Sequence, residues 1–282
     1  MRKIVLYITL LLAVNTSSAQ TATPEILGNL SGKQVTEASG IASSVPLAGH
    51  YWTHNDSGND PEVFLLDNHA SLVATVWLKN AKNRDWEDIA EGIGPQTGKH
   101  YVYVGDIGDN HAIRDHIRIY RFPEPSKVTP GSYIKLKADE LKLRYPDGAR
   151  DAETLMLDPI SKQLYIISKR EKEVTLFKTK LLFNDGDKAT LEPLIQLPYT
   201  WVVSGDISKD GHHIVIKTLT KIYYWHRNKG ESVEEAMKKP AKELPYVVEK
   251  QGEGITITPR NNGYVTISEG KKAPVYFYKW KF

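Results

Sequence analysis

Three glutamates, Glu87, Glu153 and Glu253, each stand two residues before an isoleucine or leucine that opens an apolar, strand-like run. Ser39 and Gly205 stand at the same place before two further runs of this kind. Carboxylate and hydroxyl oxygens are hard donors of the type that calcium prefers in proteins. These positions would form a cation site if the fold brought them together, so the elements that carry them decide the chemistry.

The openings begin at positions 39, 87, 153, 205 and 253, at intervals of 48, 66, 52 and 48 residues. Repeats of about 40 to 50 residues with several strands each are typical of β-propeller blades. Each opening is followed by two further runs rich in β-branched and aromatic residues. The long interval contains a polar stretch at residues 123–137, which we interpret as a loop insertion. The sequence therefore predicts an all-β, five-bladed β-propeller with one short helix at residues 232–238.

The ends of the chain predict how the ring closes. The fifth unit ends at Phe282 with only three strand-like runs, and a spare run at residues 24–30 precedes the first unit. We expect residues 25–30 to pair outside the run at residues 275–278, because this closure would remove an open sheet edge. The sequence thus predicts a single propeller domain over residues 20–282.

Residues 1–19 have the pattern of a signal peptide. Arg2 and Lys3 precede an apolar run at residues 4–14, and small or polar residues lead to a cleavage point after Ala19. That run is too short to span a bilayer, and no second long apolar run follows, so we expect no membrane association after cleavage. The chain has no cysteine, which suits a secreted or periplasmic protein without disulfides.

The overall charge argues against nucleic acid as a partner. Lys and Arg number 37 against 34 Asp and Glu, which gives a net charge of +3, and hydrophobic residues make up 40% of the chain. This is the composition of an ordinary soluble domain. Nucleic-acid binding would need a clustered basic face. We expect a monomer that binds no nucleic acid.

The innermost strand of each blade lines the central channel, so equivalent repeat positions meet on one axis. Three carboxylates there repel one another unless protons or a cation neutralise them. No lysine or arginine occupies the same repeat position, and calcium tolerates irregular sets of oxygen ligands. The alternative is a water-filled channel in which the acids hydrogen-bond to neighbouring strands. In the fourth unit, Ser204 and Asp206 flank Gly205.

The order Ser, Glu, Glu, Ser or Gly, Glu along five units resembles the calcium-activated nucleotidase (apyrase) family. The resemblance covers the repeat layout and short motifs such as residues 253–255, and does not extend to long stretches of sequence. It implies a five-bladed propeller with one calcium ion on the axis. The ligands that it implies are Ser39, Glu87, Glu153, Ser204 and Glu253, with Asp206 as the competing residue in the fourth blade.

Polar residues follow the second strand of each unit and should gather at one rim of the channel. Lys169 and Arg170 follow one such strand and could hold a phosphate or carboxylate group. Asp56 and Asp106 follow two others and could orient water or hold a metal-bound substrate. Each cluster is also what ordinary turns contain, so turn chemistry is the alternative interpretation of these residues.

Two functions follow from these features. The first is a secreted or periplasmic calcium-binding propeller that binds a small molecule, a glycan or a peptide on its channel rim. The alternative is a calcium-dependent phosphate-ester or nucleotide hydrolase that uses Asp56, Asp106, Lys169 and Arg170. Calcium-dependent release of phosphate would favour the hydrolase, and ligand binding without turnover would favour the binding protein.

Overall fold

A computed structural model of the protein describes residues 23–282. The signal peptide predicted at residues 1–19 lies outside the described residues. The described chain forms 22 strands and one short helix, and the strands make five separate sheets. The all-β, five-bladed propeller predicted from the repeat is therefore confirmed. No helix within residues 23–282 is long and apolar enough to cross a bilayer.

The five sheets are the blades, and the three innermost strands of each are antiparallel neighbours. Blade 1 contains β2 (Ala38–Ser43), β3 (Tyr51–Asn55), β4 (Glu62–Leu66), β5 (Leu72–Leu78) and β9 (Ser132–Leu136). Blade 2 contains β6 (Trp86–Ile93), β7 (His100–Asp106), β8 (Ile117–Pro123), β10 (Asp139–Arg144) and β14 (Lys188–Thr190). Blade 3 contains β11 (Ala152–Asp158), β12 (Gln163–Ser168), β13 (Val174–Lys180) and β15 (Glu192–Leu197).

Blade 4 contains β16 (Val202–Ile207), β17 (His213–Thr218), β18 (Ile222–His226) and β19 (Lys242–Leu244), with helix α1 (Val233–Met237) before β19. Blade 5 contains β20 (Gly252–Ile257), β21 (Gly263–Ser268), β22 (Pro274–Lys279) and β1 (Glu25–Asn29). The helix matches the expectation for residues 232–238. Ser232 caps it and forms a reciprocal capping box with Glu235.

The ring closes as the chain ends predict. Strand β1 pairs antiparallel with β22, with Glu25 opposite Phe277 and Asn29 opposite Pro274. The N-terminal strand thus supplies the outer strand of blade 5 and covers an edge that would otherwise stay open.

Apolar layers between neighbouring blades hold the ring together. Between blades 1 and 2, the rings of Trp52 and Phe122 pack edge to face at 6.0 Å between centroids, and both side chains are fully buried. Burial of one such side chain contributes about 1.5–3 kcal/mol. The inner strands β2, β6, β11, β16 and β20 each contact the next around the axis.

The interpretation of residues 123–137 as a loop insertion is wrong. Strand β9 of this segment pairs parallel with β5 and so extends blade 1, and β14 extends blade 2 in the same way beside β10. Alternation explains the difference, because Ile134 packs on the core between the blades while Tyr133 is exposed. A segment with this alternation forms a strand when it can pair with the open edge of a sheet, here the edge of β5.

All five inner strands share a bulge near their first residue. One extra residue breaks the pairing register with the second strand, and in blades 2, 3 and 5 it is Glu87, Glu153 and Glu253. In blade 4 the extra residue is Val203, so Gly205 is not the equivalent position. Residues 205–207 have the same pattern as the repeated openings but lie two places further along the strand. For this reason the repeat pattern assigned Gly205, and not Val203, as the equivalent position.

Candidate functional site

The bulged ends of the inner strands form one mouth of the channel, and three carboxylates from blades 1 and 2 converge there. Asp56 follows β3, Asp85 precedes β6, and Glu87 is the bulge residue of β6. One carboxylate oxygen from each of these three residues lies within 4.8 Å of the other two. We call Asp56, Asp85 and Glu87 the mouth triad.

Backbone contacts fix the loops that carry the mouth triad. The side-chain amide of Asn83 donates to the backbone oxygens of Asn55 at 3.0 Å and Asp56 at 2.7 Å, which ties the two loops together. The backbone nitrogen of Asp85 donates to Asp106 Oδ1 at 3.1 Å. The triad therefore belongs to an ordered corner of the ring.

The mouth triad has few donors for its negative charge. Glu87 is 5% exposed, and within residues 23–282 its carboxylate makes no hydrogen bond or ion pair, although its oxygens keep some access to the channel because they are not among the fully buried atoms without a partner. Asp56 accepts one hydrogen bond, from the backbone nitrogen of Ser57 at 2.5 Å. A buried carboxylate without donors is unfavourable unless a proton or a cation neutralises it.

The pKa values of the triad follow from this crowding. Burial, Asp56 and Asp85 raise the pKa of Glu87 well above its usual range. Burial, with the charge of Asp56 behind it, raises the pKa of Asp85 to about 6. Burial also raises the pKa of Asp56, and Glu37 adds to that increase. A proton or a bound cation would relieve this mutual repulsion.

Gly108 leaves room around the triad. A Cβ atom at this position would fall well inside van der Waals contact with Glu87 Oε1 and Asp85 Oδ2. The backbone nitrogen of Gly108 donates to the backbone oxygen of Asp85 at 3.2 Å, which holds the loop close. The absence of a side chain thus lets a loop approach two carboxylates and shape a small cradle.

A lysine enters the mouth from outside the repeated openings. Lys169 follows β12, and its Nζ forms an ion pair with the Glu153 carboxylate, with both side chains about nine-tenths buried. The same charge opposes the raised pKa of Glu87 and of Glu253. The repeat predicted three glutamates without a basic residue, and Lys169 changes that balance because it reaches the mouth from a neighbouring strand.

Glu253 faces Glu269 at the blade 5 side of the mouth. Burial, and then the charge of Glu269, raises the pKa of Glu253 to about 8. Burial raises the pKa of Glu269 as well. The carboxyl groups of Glu87 and Glu253 also act on each other. The mouth is therefore acidic around its circumference, with Lys169 among the acids.

The other axial candidates take part in bonds between blades. Ser39 Oγ donates to the backbone oxygen of Glu87 at 2.9 Å. Ser204 Oγ donates to Asp88 Oδ1 at 3.2 Å. Asp206 Oδ2 accepts from the backbone nitrogen of Ile257 at 2.8 Å. The structure therefore brings Glu87, Glu153 and Glu253 to the mouth together with Asp56, and leaves Ser204 and Asp206 out of that group.

Two of the predicted rim residues are held by partners of their own. Asp106 Oδ1 pairs with Arg114 Nη1 at 2.9 Å, and both side chains are buried. The Arg170 guanidinium bonds to the Asp151 carboxylate and to the Asn110 side chain. Both residues therefore stabilise the loops around the mouth, and neither joins the mouth triad.

Three further residues belong to the mouth, and the predicted site residues did not include them. Asp85 and Glu269 lie outside the repeated opening, one just before an inner strand and the other just after a second strand. Trp201 precedes β16 and is 42% exposed, with Arg170 at 4.9 Å and Lys169 Nζ at 5.4 Å from its ring centroid. The available signal for Asp85 was its position, because an acidic residue two places before Glu87 lies at the start of the predicted inner strand.

Comparison with known proteins does not assign a family. No protein-family model matches the chain, and no curated protein matches it. Among solved structures, a chain in the crystal structure of a nidogen/laminin complex is similar, with a TM-score of 0.45 and 10% identity. That similarity covers 86% of this chain and 81% of that chain. The resemblance to the apyrase family stays a prediction.

Proposed function

We propose that this protein is a ligand-binding β-propeller whose channel mouth holds a calcium ion at the mouth triad. The observation that carries the proposal is the Glu87 carboxylate, which is buried beside Asp56 and Asp85 without a protein donor. Three oxygen donors suit a hard divalent cation, and calcium accepts irregular oxygen sets of this kind. A calcium site that is part of an exported protein also agrees with the signal peptide predicted at residues 1–19.

The position of the ion differs from the one that the repeat suggested. An axial ion would use the glutamates of three blades, but Glu153 is already paired with Lys169. The mouth triad lies at the junction of blades 1 and 2, and Gly108 leaves space beside it. We therefore place Asp56, Asp85 and Glu87 as the protein ligands, and Glu253 as a further acidic group on the far side of the mouth.

The ligand that we propose carries a carboxylate or phosphate group. An oxyanion can complete the coordination of a calcium ion whose protein ligands come from one side. Lys169 and Arg170, which pair with Glu153 and Asp151, both lie at the mouth beside the partly exposed ring of Trp201. Cationic groups next to an aromatic ring favour a ligand with an acidic group and a ring, such as an acidic glycan.

The calcium site is tested by thermal unfolding of protein freed of metal. We expect calcium to raise the melting temperature, since a ligand at 100 times its Kd adds about 2.7 kcal/mol to native stability. The variants Asp85→Asn and Glu87→Gln should lose this shift while folding normally in EGTA, because they relieve repulsion. Glu192→Gln, a substitution of a surface acid, serves as the matched control and should keep the shift.

The result that contradicts the calcium site is a melting curve of the wild-type protein that EGTA and calcium leave unchanged. A calcium shift that persists in Asp85→Asn with Glu87→Gln would also overturn the placement at the mouth triad. Isothermal titration with calcium chloride gives the same comparison directly, with one site expected in the wild type and none in the double variant.

Hydrolysis is separated from binding by a nucleotide assay. Calcium-loaded protein is incubated with ATP, and free phosphate is measured beside titrations with ATP and with inorganic phosphate. Calcium-dependent binding without phosphate release is the expected result. Catalytic phosphate release that Glu87→Gln abolishes would replace the binding function with the hydrolase that was the alternative.

A further inference from the structure

A second group of ionisable side chains lies at the opposite end of the channel from the mouth triad. Glu91, His100 and Glu124 each offer one ligand atom, and these atoms lie within 4.8 Å of one another. We call these three residues the lower cluster. Unlike the mouth triad, the lower cluster includes an imidazole, so its donor set is mixed.

The fold places the lower cluster by strand pairing. Ile93 in β6 stands opposite His100 in β7, which makes Glu91 a diagonal neighbour of His100 on the same sheet face. Glu124 follows β8, and its backbone nitrogen donates to the backbone oxygen of His100 at 2.9 Å. Three adjacent strands of blade 2 thus carry the three residues.

Glu124 has a free oxygen in this cluster. Its Oε1 accepts from Trp52 Nε1 at 2.7 Å and from Ser44 Oγ at 2.5 Å. Its Oε2 is buried and has no hydrogen-bond partner in the described chain. Burial, and then the charge of Glu91, raises the pKa of Glu124 to about 7. Glu91 Oε1 lies 2.5 Å from His100 Nδ1, so the free Oε2 of Glu124 is the oxygen in this cluster that lacks a partner.

We propose that the lower cluster binds a divalent first-row transition ion, with Glu91, His100 and Glu124 as its protein ligands. Imidazole with carboxylate suits zinc, manganese or iron, whereas calcium prefers oxygen donors throughout. The ligands lie at positions 91, 100 and 124, so no short metal-binding sequence motif identifies this site. Glu91 is fully buried while the His100 side chain is 32% exposed, so an ion can reach the cluster from the His100 side.

Lys209 sets the affinity of the lower cluster. It follows β16 in blade 4 and reaches across the channel, where its Nζ lies 2.7 Å from Glu91 Oε2. A small cavity of about 60 Å³ adjoins Glu91, His100 and Lys209. The ammonium group competes with a metal ion for the Glu91 carboxylate, so an ion binds only by displacing it.

The experiment is titration of the metal-free protein with cobalt and zinc chlorides in saturating calcium. Cobalt should give a visible absorption band that reports protein ligands. Glu124→Gln, which keeps the acceptor for Trp52 and Ser44, should weaken binding by at least about 10-fold, a loss typical even of outer-shell partners. Lys209→Met should strengthen binding by about 10-fold, because a like charge beside the ion is removed.

Controls separate this site from the two other places where metal ions could collect. Glu87→Gln removes the mouth triad and should leave cobalt binding unchanged. His213→Gln with His226→Gln breaks up a group of three histidines, His212, His213 and His226, and should also leave cobalt binding unchanged. Absence of binding in both the wild type and Lys209→Met would overturn the proposal. Binding that Glu124→Gln and His100→Gln both retain would do the same.

Discussion

Lys169 brings an ammonium group among glutamates of three blades, although it lies outside the repeated openings. Its ion pair with Glu153 is about nine-tenths buried. Removal of one partner of such a pair leaves a buried charge without compensation, which is far more costly than the loss of a surface pair. At the scale of single residues, the mouth therefore depends on how its negative charges are balanced.

The substitution Lys169→Met tests this balance. We expect it to lower the free energy of unfolding by about 3 kcal/mol at neutral pH in EGTA, measured by urea denaturation. Calcium should restore part of the loss, because a cation can then approach Glu153 and Glu253. Lys178→Met is the matched control, since its partner Glu192 is 64% exposed and such pairs contribute at most about 1 kcal/mol. Equal losses in the two variants would contradict the role of Lys169.

Glu253 makes stability depend on pH. Its pKa rises from 4.5 to about 8 on folding, so between these values the folded chain keeps a proton that the unfolded chain has released. Stability must then fall as pH rises through this window. Glu253→Gln should reduce the fall in melting temperature between pH 5 and about 8 in EGTA. Glu192→Gln, which lacks this burial, should follow the wild-type curve, and an unchanged slope in Glu253→Gln would contradict the prediction.

The loop between β7 and β8 shapes the site without contributing a ligand. Gly108 approaches Glu87 and Asp85 so closely that any side chain would displace their carboxylates. The atoms it would meet are the ends of flexible side chains, which can turn away at little cost to folding. A substitution at Gly108 therefore changes the geometry of the calcium site while its ligands Asp56, Asp85 and Glu87 stay the same.

Gly108→Ala is the resulting prediction. We expect calcium affinity to fall by at least about 10-fold, as when neighbours that orient metal ligands are lost, while the melting temperature in EGTA changes little. Gly92→Ala is the matched control within β6, where the nearest atom is a Leu157 side-chain carbon at 3.2 Å. Calcium titration of both variants is the measurement. Unchanged affinity in Gly108→Ala would remove the loop from the site.

The inner strands show what could be predicted from sequence and what could not. The strand order and the closure by residues 25–29 follow from repeat spacing and from alternation, which are local signals. The blade 4 equivalent was wrong, because a bulge sets it and residues 205–207 imitate the opening pattern. Lys169 was predicted at the rim, but its ion pair with Glu153 was not, and Asp85 was missed, because both residues reach the mouth from segments outside the repeated openings, whose course only the folded chain determines.

At the scale of the whole molecule, the ring is held by contacts between residues far apart in the chain. Strand β1 joins β22, so the first and last described elements share one sheet. Leu30 is 2% exposed and its backbone nitrogen donates to Ala273 at 2.8 Å, which continues the contact beyond the strand. The mouth triad uses residues of blades 1 and 2, so an opened ring would loosen it.

Removal of β1 is the prediction at this scale. A chain that starts at Leu30 should melt at least about 5 °C below a control chain that starts at Thr23, since about 1 kcal/mol shifts the melting temperature by 2–4 °C at this size. The exposed edge of β22 should also pair with a second copy, which light scattering after size-exclusion chromatography would detect as a dimer. A peptide of residues 23–29 should restore both the monomer and the calcium response, while a scrambled peptide should not. A truncated chain that stays monomeric, melts like the control and binds calcium equally well would show that the ring does not depend on β1, because the five contacts between inner strands would then be sufficient to hold the mouth triad together.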